Sequence, residues 1–148
     1  MNTNLKAFLD MIATSEGTKG VGDDGYNVLV GGTLFHDYAD HPRVRVFCKK
    51  FNVYSTAAGR YQILAKYFDV YKKQLGLHDF GHDAQDAIAV QMIKECKALD
   101  DIEAGRFADA VKKCAHIWAS LPGAGYGQHE NKIEKLKVAY LEAGGVVG

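Results

Sequence analysis

The feature that most limits the fold is one long interruption of an otherwise helical pattern. Leu5, Phe8, Leu9 and Ile12 stand at i, i+3, i+4 and i+7, the spacing that lines one face of a helix with apolar side chains. Asn2 or Thr3 can cap its start, and Gly17 can stop it. The pattern then lapses over residues 20–47. Gly22, Gly25, Gly31 and Gly32 break the chain into short runs such as Tyr26–Val30, which reads as a small hairpin or meander, and Pro42 ends any extended continuation.

Helical spacing returns from Thr56. Ile63, Leu64, Tyr67, Phe68, Tyr71 and Leu75 share a face that Gly76 closes. Asp83 is placed to cap a further helix whose core face is Ile88, Met92, Ile93 and Cys96. Phe107, Val111, Cys114, Ala115 and Trp118 form another stripe, closed by Leu121-Pro122-Gly123. A last helix carries Ile133, Leu136 and Tyr140 and stops at Gly144-Gly145. Neither a repeat nor a linker divides the chain. The expected architecture is α+β over residues 1–148: one domain, with a small antiparallel sheet lobe at about 20–54 beside a mainly helical lobe. Such lobes usually leave a cleft between them.

Composition excludes several classes of function. Lys plus Arg and Asp plus Glu are equal at 18 each, so nothing favours a nucleic-acid polyanion as partner. No apolar run approaches the roughly 18 residues of a membrane span. Lys6 and Asp10 interrupt the N-terminal apolar run, which does not read as a secretory signal, so cytoplasmic production without stable membrane insertion is expected. Cys48, Cys96 and Cys114 are an odd number without a CxxC pair and read as incidental thiols of a reducing compartment.

Glu16 is the residue on which function turns. An apolar helix anchors its backbone, and Gly17 beside it leaves room for a ligand. The partial negative charge of a helix C-terminus disfavours ionisation and should raise the carboxyl pKa. A carboxyl kept protonated near neutrality suits a general acid acting on a glycosidic oxygen. A two-carboxylate hydrolase would need a partner. Asp23, Asp24, Asp37 and Asp40 are the candidates, but none is singled out by spacing, and acidic residues in glycine-rich turns are commonly turn formers.

Five segments carry a family resemblance. AFLDMIATSEGT (Ala7–Thr18), GYNVLVGGTLFHDYADHPR (Gly25–Arg43), STAAGRYQIL (Ser55–Leu64), YKKQLGLHDF (Tyr71–Phe80) and IWASLPGAGYGQ (Ile117–Gln128) occur in the order, and with much of the wording, of lambda-type phage endolysins. Val44–Asn52 matches weakly. The resemblance implies a lysozyme-like fold and a lytic murein transglycosylase that takes part in host cell lysis. Such an enzyme cleaves the β-1,4 bond between N-acetylmuramic acid and N-acetylglucosamine of a peptidoglycan strand and leaves a 1,6-anhydro end. It implies Glu16 as the single catalytic acid and base, with no metal or organic cofactor. Tyr61 and Gln62, in Gly59-Arg60-Tyr61-Gln62 at a helix start, match the family's second motif, and Arg60 joins them as a candidate substrate contact. Tyr126 and Gln128, in Gly125-Tyr126-Gly127-Gln128, match the third. Ser55 and Thr56 either bond the acetamido group or cap the central helix. A monomer is expected, and a holin acting upstream would open the way to the wall.

Four other readings compete. A hydrolytic muramidase would cut the same bond with water. A zinc peptidase or amidase would draw on the six histidines, but His36 and His41 flank aspartates, His78 and His82 sit in a turn-like context, and no HExxH occurs. A cysteine peptidase would need a reactive thiol, but every Cys lies in an apolar or unremarkable helical setting. A lysozyme-fold binding module without chemistry would leave the setting of Glu16 unexplained.

Overall fold

A computed structural model describes residues 1–125 and 130–148. The chain forms two compact units, one of Met1–Gly17 with Ala89–Gly148 and one of Thr18–Ile88. Both helix and sheet are present, as an α+β chain requires.

In the first unit, helix α1 spans Thr3–Glu16. Asn2 caps it: its Oδ1 accepts the Asn4 and Leu5 amides at 2.8 and 3.3 Å. Gly17 ends it in the left-handed region at φ 79°, where a side chain would be strained. The expected stripe is buried, but so are Ala7, Met11 and Ala13, so α1 is covered nearly all round. It packs on α4 (Leu99–Glu103) and α6 (Ile133–Glu142). Phe8, fully buried, meets Phe107 edge-on at 6.1 Å, and Phe107 leans on Tyr140 at 4.7 Å. Burying one such ring contributes roughly 2–3 kcal/mol. Helix α5 (Phe107–Cys114) buries the predicted stripe through Trp118. Sequence periodicity missed α4, whose five residues are too few to show a period. Asp101 of α4 is buried and ion-paired with Arg106 and Lys113 of the following chain.

The second unit corrects two expectations and reduces a third. Tyr26–Val30 forms no full strand, but the chain turns back at Gly31 and Gly32 (φ 90° and 99°): Leu29 N–H donates to Thr33 O at 2.7 Å, Phe35 N–H donates to Asn27 O at 2.9 Å, and Val28 bridges Leu34 antiparallel, a minimal form of the expected hairpin. The two-stranded sheet is β1 (Val46–Cys48) against β2 (Val53–Ser55), antiparallel, with Phe47 opposite Tyr54 and a single 3-10 turn, Lys49–Phe51, between them. β1 lies within the weakly matching segment Val44–Asn52, and β2 begins directly after it. The central helix, α2 (Ala65–Leu75), starts at Ala65, not Thr56, so Tyr61 and Gln62 do not open a helix. Ala58 and Ile63 exchange both backbone hydrogen bonds (3.1 and 2.8 Å), and Gly59 and Gln62 take positive φ, which folds 58–63 into a loop. Finally, α3 begins at His82, so Asp83 lies in its first turn instead of capping it. Phe68 and Phe80, both fully buried, hold His41 between them.

Candidate active site

Glu16 is the last residue of α1, so packing along the whole helix fixes its backbone. Its side chain is partly buried. Ser120 Oγ donates to Glu16 Oε2 at 3.2 Å. Ser120 follows the buried Trp118 and precedes the buried Leu121, which anchor its turn. Behind it runs a chain of donors. Asn131 Nδ2 donates to Ser15 Oγ at 3.2 Å, and the Ser15 and Ser120 hydroxyls lie 2.7 Å apart. Asn131 is itself held, because its backbone N–H donates to Ser120 O at 2.8 Å and its amide to Ser15 O at 3.0 Å. If each hydroxyl passes its proton forward, the order Asn131, Ser15, Ser120, Glu16 satisfies every group in turn.

Burial raises the Glu16 carboxyl from 4.5 to about 7, against the smaller lowering effect of the Ser120 hydrogen bond. The direction is the one expected at the helix end, and the cause that raises it is loss of solvent. A group with this pKa exists near neutrality in both forms, so it can give a proton and take one back. Among the described residues nothing lies within 4 Å of a Cβ built on Gly17, which leaves that side of the acid's neighbour uncrowded.

The other predicted residues are in the second unit. Thr56 does cap the central helix, its Oγ1 accepting the Ala65 amide at 2.9 Å. Ser55 Oγ accepts the Ala57 amide at 3.1 Å, a local turn contact. Arg60 and Tyr61 are buried, 4% and 1% exposed. Arg60 is bound to Asp24, through its backbone oxygen at 3.0 Å and its carboxylate at 3.3 Å, and to Tyr61 Oη at 3.2 Å. Tyr61 and Tyr26 both donate to Asp86 Oδ1, at 2.6 and 2.8 Å. Gln62 is partly buried, and its Nε2 donates to Gly59 O and Val28 O. Tyr126 and Gln128 lie outside the described residues. Glu130, just after them, accepts the Gly123 and Gly125 amides at 3.0 Å each.

The candidate partner acids are all engaged within their own unit. Asp23 accepts from Tyr38 Oη and pairs with His82 Nε2, both at 2.6 Å. Asp24 accepts the Gly20 amide and holds Arg60; Asp37 accepts the Ala39 amide. Asp40 accepts the His41 amide and binds Arg43. Among the described residues no three His, Cys, Asp or Glu side chains gather to hold a metal ion. His41 uses both ring nitrogens, Nε2 on Ile63 O at 2.8 Å and Nδ1 on the Arg43 amide at 2.9 Å. Sequence reading missed Ser120, Asn131, Gln85 and Asp86. Ser120 lies inside the matching run Ile117–Gln128, but a serine in a turn carries no local mark of what it will face.

Comparison with known proteins places the chain in a family. The profile of the endolysin family matches residues 6–147. The endolysin of Escherichia phage lambda is 52% identical over 151 residues, covering 99% of this chain and 95% of that protein. The endolysin of Escherichia phage P2 is 48% identical, covering 97% and 94%. A solved structure of bacteriophage lambda lysozyme complexed with a chitohexasaccharide superposes with a TM-score of 0.95 at 51% identity, over 100% of this chain and 98% of that one. A second structure of lysozyme from bacteriophage lambda gives 0.92 over the same shares. Helices with a two-stranded antiparallel sheet in a lysozyme-like α+β fold, and an acid with a raised pKa at the end of its first helix, are therefore features of a chain that belongs to the endolysin family.

Proposed function

We propose that this protein, a wall-degrading enzyme by its family, is a lytic transglycosylase in which Glu16 alone acts as acid and base. The observation that carries the reading is the Glu16 carboxyl held at about 7 by burial, with one hydroxyl as its partner. The engagement of Asp23, Asp24, Asp37 and Asp40 elsewhere supports a single-carboxylate route. Glu16 protonates the glycosidic oxygen as the C1–O bond breaks, and the leaving N-acetylglucosamine keeps that proton as a hydroxyl. The muramic 2-acetamido carbonyl stabilises the cationic C1. The Glu16 carboxylate then takes the proton of the muramic C6 hydroxyl as its oxygen closes on C1. No water is consumed, and the intramolecular nucleophile brings a high effective molarity.

In this reading the glycan strand of peptidoglycan is the partner, and residues 1–148 act as one catalytic domain in monomeric form. Ser55, Thr56 and Gln62 contribute polar contacts to sugar, and Arg60 and Tyr61 act from beneath by fixing their loop. Tyr126 and Gln128 are sugar contacts on the strength of the family resemblance alone. Among the described residues no helix is long and apolar enough to cross a membrane. Production in the host cytoplasm, with a holin acting upstream, completes the proposal.

The test is the product. Digests of purified peptidoglycan should contain muropeptides about 18 Da lighter than hydrolysis products, since ring closure replaces water. Reducing muramic ends in their place would establish the hydrolytic muramidase instead. EDTA should leave the rate unchanged. A second expectation concerns Ser120. Its hydrogen bond favours the Glu16 carboxylate, so Ser120→Ala should raise the Glu16 pKa further and carry the alkaline limb of the pH–rate profile upward. A limb that stays in place, or moves to lower pH, would detach Ser120 from the acid.

A further inference from the structure

The second and third cysteines of the chain, which the catalytic reading leaves unused, meet at the junction of two helices. Cys96 directly follows α3 (His82–Glu95), its N–H bonded to Met92 O at 3.0 Å, and Cys114 is the last residue of α5. Their side chains hydrogen-bond to each other. The neighbouring residues confirm the approach of the two segments. Lys113 Nζ reaches Lys97 O at 3.4 Å and Asp101 Oδ2 at 2.5 Å. Cys114 is fully buried, Cys96 partly exposed, and both thiols are free.

We propose that Cys96 and Cys114 are an internal cross-linking site, closing to a disulfide when the protein meets a small-molecule disulfide oxidant. The order of attack follows from access and charge. The Cys96–Cys114 hydrogen bond raises the pKa of the Cys114 thiol, which burial raises further, and the same bond favours the Cys96 thiolate. Cys96 Sγ, the reachable sulfur, attacks the oxidant and expels one thiolate, which takes up the proton Cys96 gave up. Cys114 Sγ then attacks Cys96 Sγ of the mixed disulfide and expels the second thiolate, which takes the Cys114 proton. The oxidant is reduced to two thiols as the protein loses two hydrogens. Cys48, in the other unit, takes no part.

The experiment incubates the purified full chain with glutathione disulfide, with dithiothreitol as the reduced control. Intact mass after removal of free glutathione should fall by about 2 Da, free thiols should drop from three to one, and a peptide map should join Cys96 to Cys114. Cys48→Ser should behave like the parent apart from its missing thiol. Cys96→Ser and Cys114→Ser should each form no internal cross-link. Bridging a loop of about 18 residues should raise the melting temperature by about 5–10 °C, reversed by dithiothreitol. Three thiols persisting, a link through Cys48, a stable glutathione adduct on Cys96, or a lower melting temperature on oxidation would each overturn the assignment.

Discussion

Glu16→Gln should lower the rate of wall cleavage by at least about a thousandfold, equivalent to roughly 4 kcal/mol of barrier, without disturbing the fold. Glutamine keeps the shape of the side chain and an oxygen for the Ser120 hydroxyl, but has no proton to give to a leaving oxygen. The same substitution should make the protein more stable above neutrality. The Glu16 pKa is about 7 in the fold against an ordinary 4.5, so the folded state holds its proton over a range where the unfolded chain has lost it. Below 4.5 both states are protonated and the group has no effect on stability. As pH rises through 4.5 toward 7, the unfolded state ionises first and folding loses ground; above 7 the whole loss is in place. The shift corresponds to a ceiling of about 3 kcal/mol, and partial exposure of the side chain reduces it to about 1–3 kcal/mol. Parent and variant should therefore melt together near pH 4, while at pH 8 the variant melts about 2–10 °C higher. Turbidimetric lysis and thermal melts at the two pH values suffice. Activity above a thousandth of the parent's would remove Glu16 from the chemistry; a melting difference that ignores pH would remove its raised pKa.

The contrast between the two halves of this result shows what sequence could and could not reach. The position of Glu16 was legible because a helix with Leu5, Phe8, Leu9 and Ile12 on one face, stopped by Gly17, leaves little choice about where its last residue sits. The expected sign of its pKa was also right, but the dominant cause is burial, which depends on chain about a hundred residues away and has no local signature. The same division applies to the fold. Stripes of three or more turns, such as Phe107 to Trp118, were readable because side chains repeat against a core. Residues 56–64 have the look of helix in sequence because Ile63 and Leu64 continue the apolar spacing of α2, and only a paired Ala58 and Ile63 with positive φ at Gly59 and Gln62 turn them into a loop. The antiparallel sheet falls at the end of the expected interval, but its individual strands are not legible, for the opposite reason. Phe47, Val53 and Tyr54 are exposed, so no alternation of buried and polar residues marks it. Thr56 was half-read, since a hydroxyl before an apolar run is a capping signal. Its use nine residues on, at Ala65, needed the intervening loop.

That loop depends on Gln85, and Gln85→Leu should cost about 3–5 kcal/mol of stability. Gln85 is fully buried on α3, and its amide serves three backbone groups that have come from distant parts of the second unit. Oε1 accepts the Arg60 N–H at 2.9 Å, and Nε2 donates to Tyr26 O at 3.0 Å and to Phe80 O at 2.8 Å. Leucine fills similar space but pairs with none of them, and each buried backbone group left unsatisfied costs about 1–3 kcal/mol, less whatever relaxation recovers. Gly59 sets the geometry from the other side. It has φ 83°, and a Cβ there would lie 2.8 Å from Gln85 Cδ and 3.1 Å from Phe80 Cζ. Gly59→Ala should therefore destabilise through both backbone strain and overlap with the amide. In the double variant Gly59→Ala/Gln85→Ala the overlap is gone, so the two losses should add to less than their sum by about 1 kcal/mol or more, which a urea-denaturation cycle measures. Arg60 and Tyr61 follow Gly59 directly and reach Asp24 and Asp86, so slackening this loop also slackens the support that the proposed sugar contacts Thr56 and Gln62 rest on. Gln85→Leu should accordingly raise KM more than it lowers kcat at temperatures where the variant is fully folded, because Glu16 and its Ser120 partner belong to the other unit. A loss of stability below about 1 kcal/mol would mean that the three backbone groups find other partners, and the loop would owe its shape to Gly59 and the Ala58–Ile63 pairing alone.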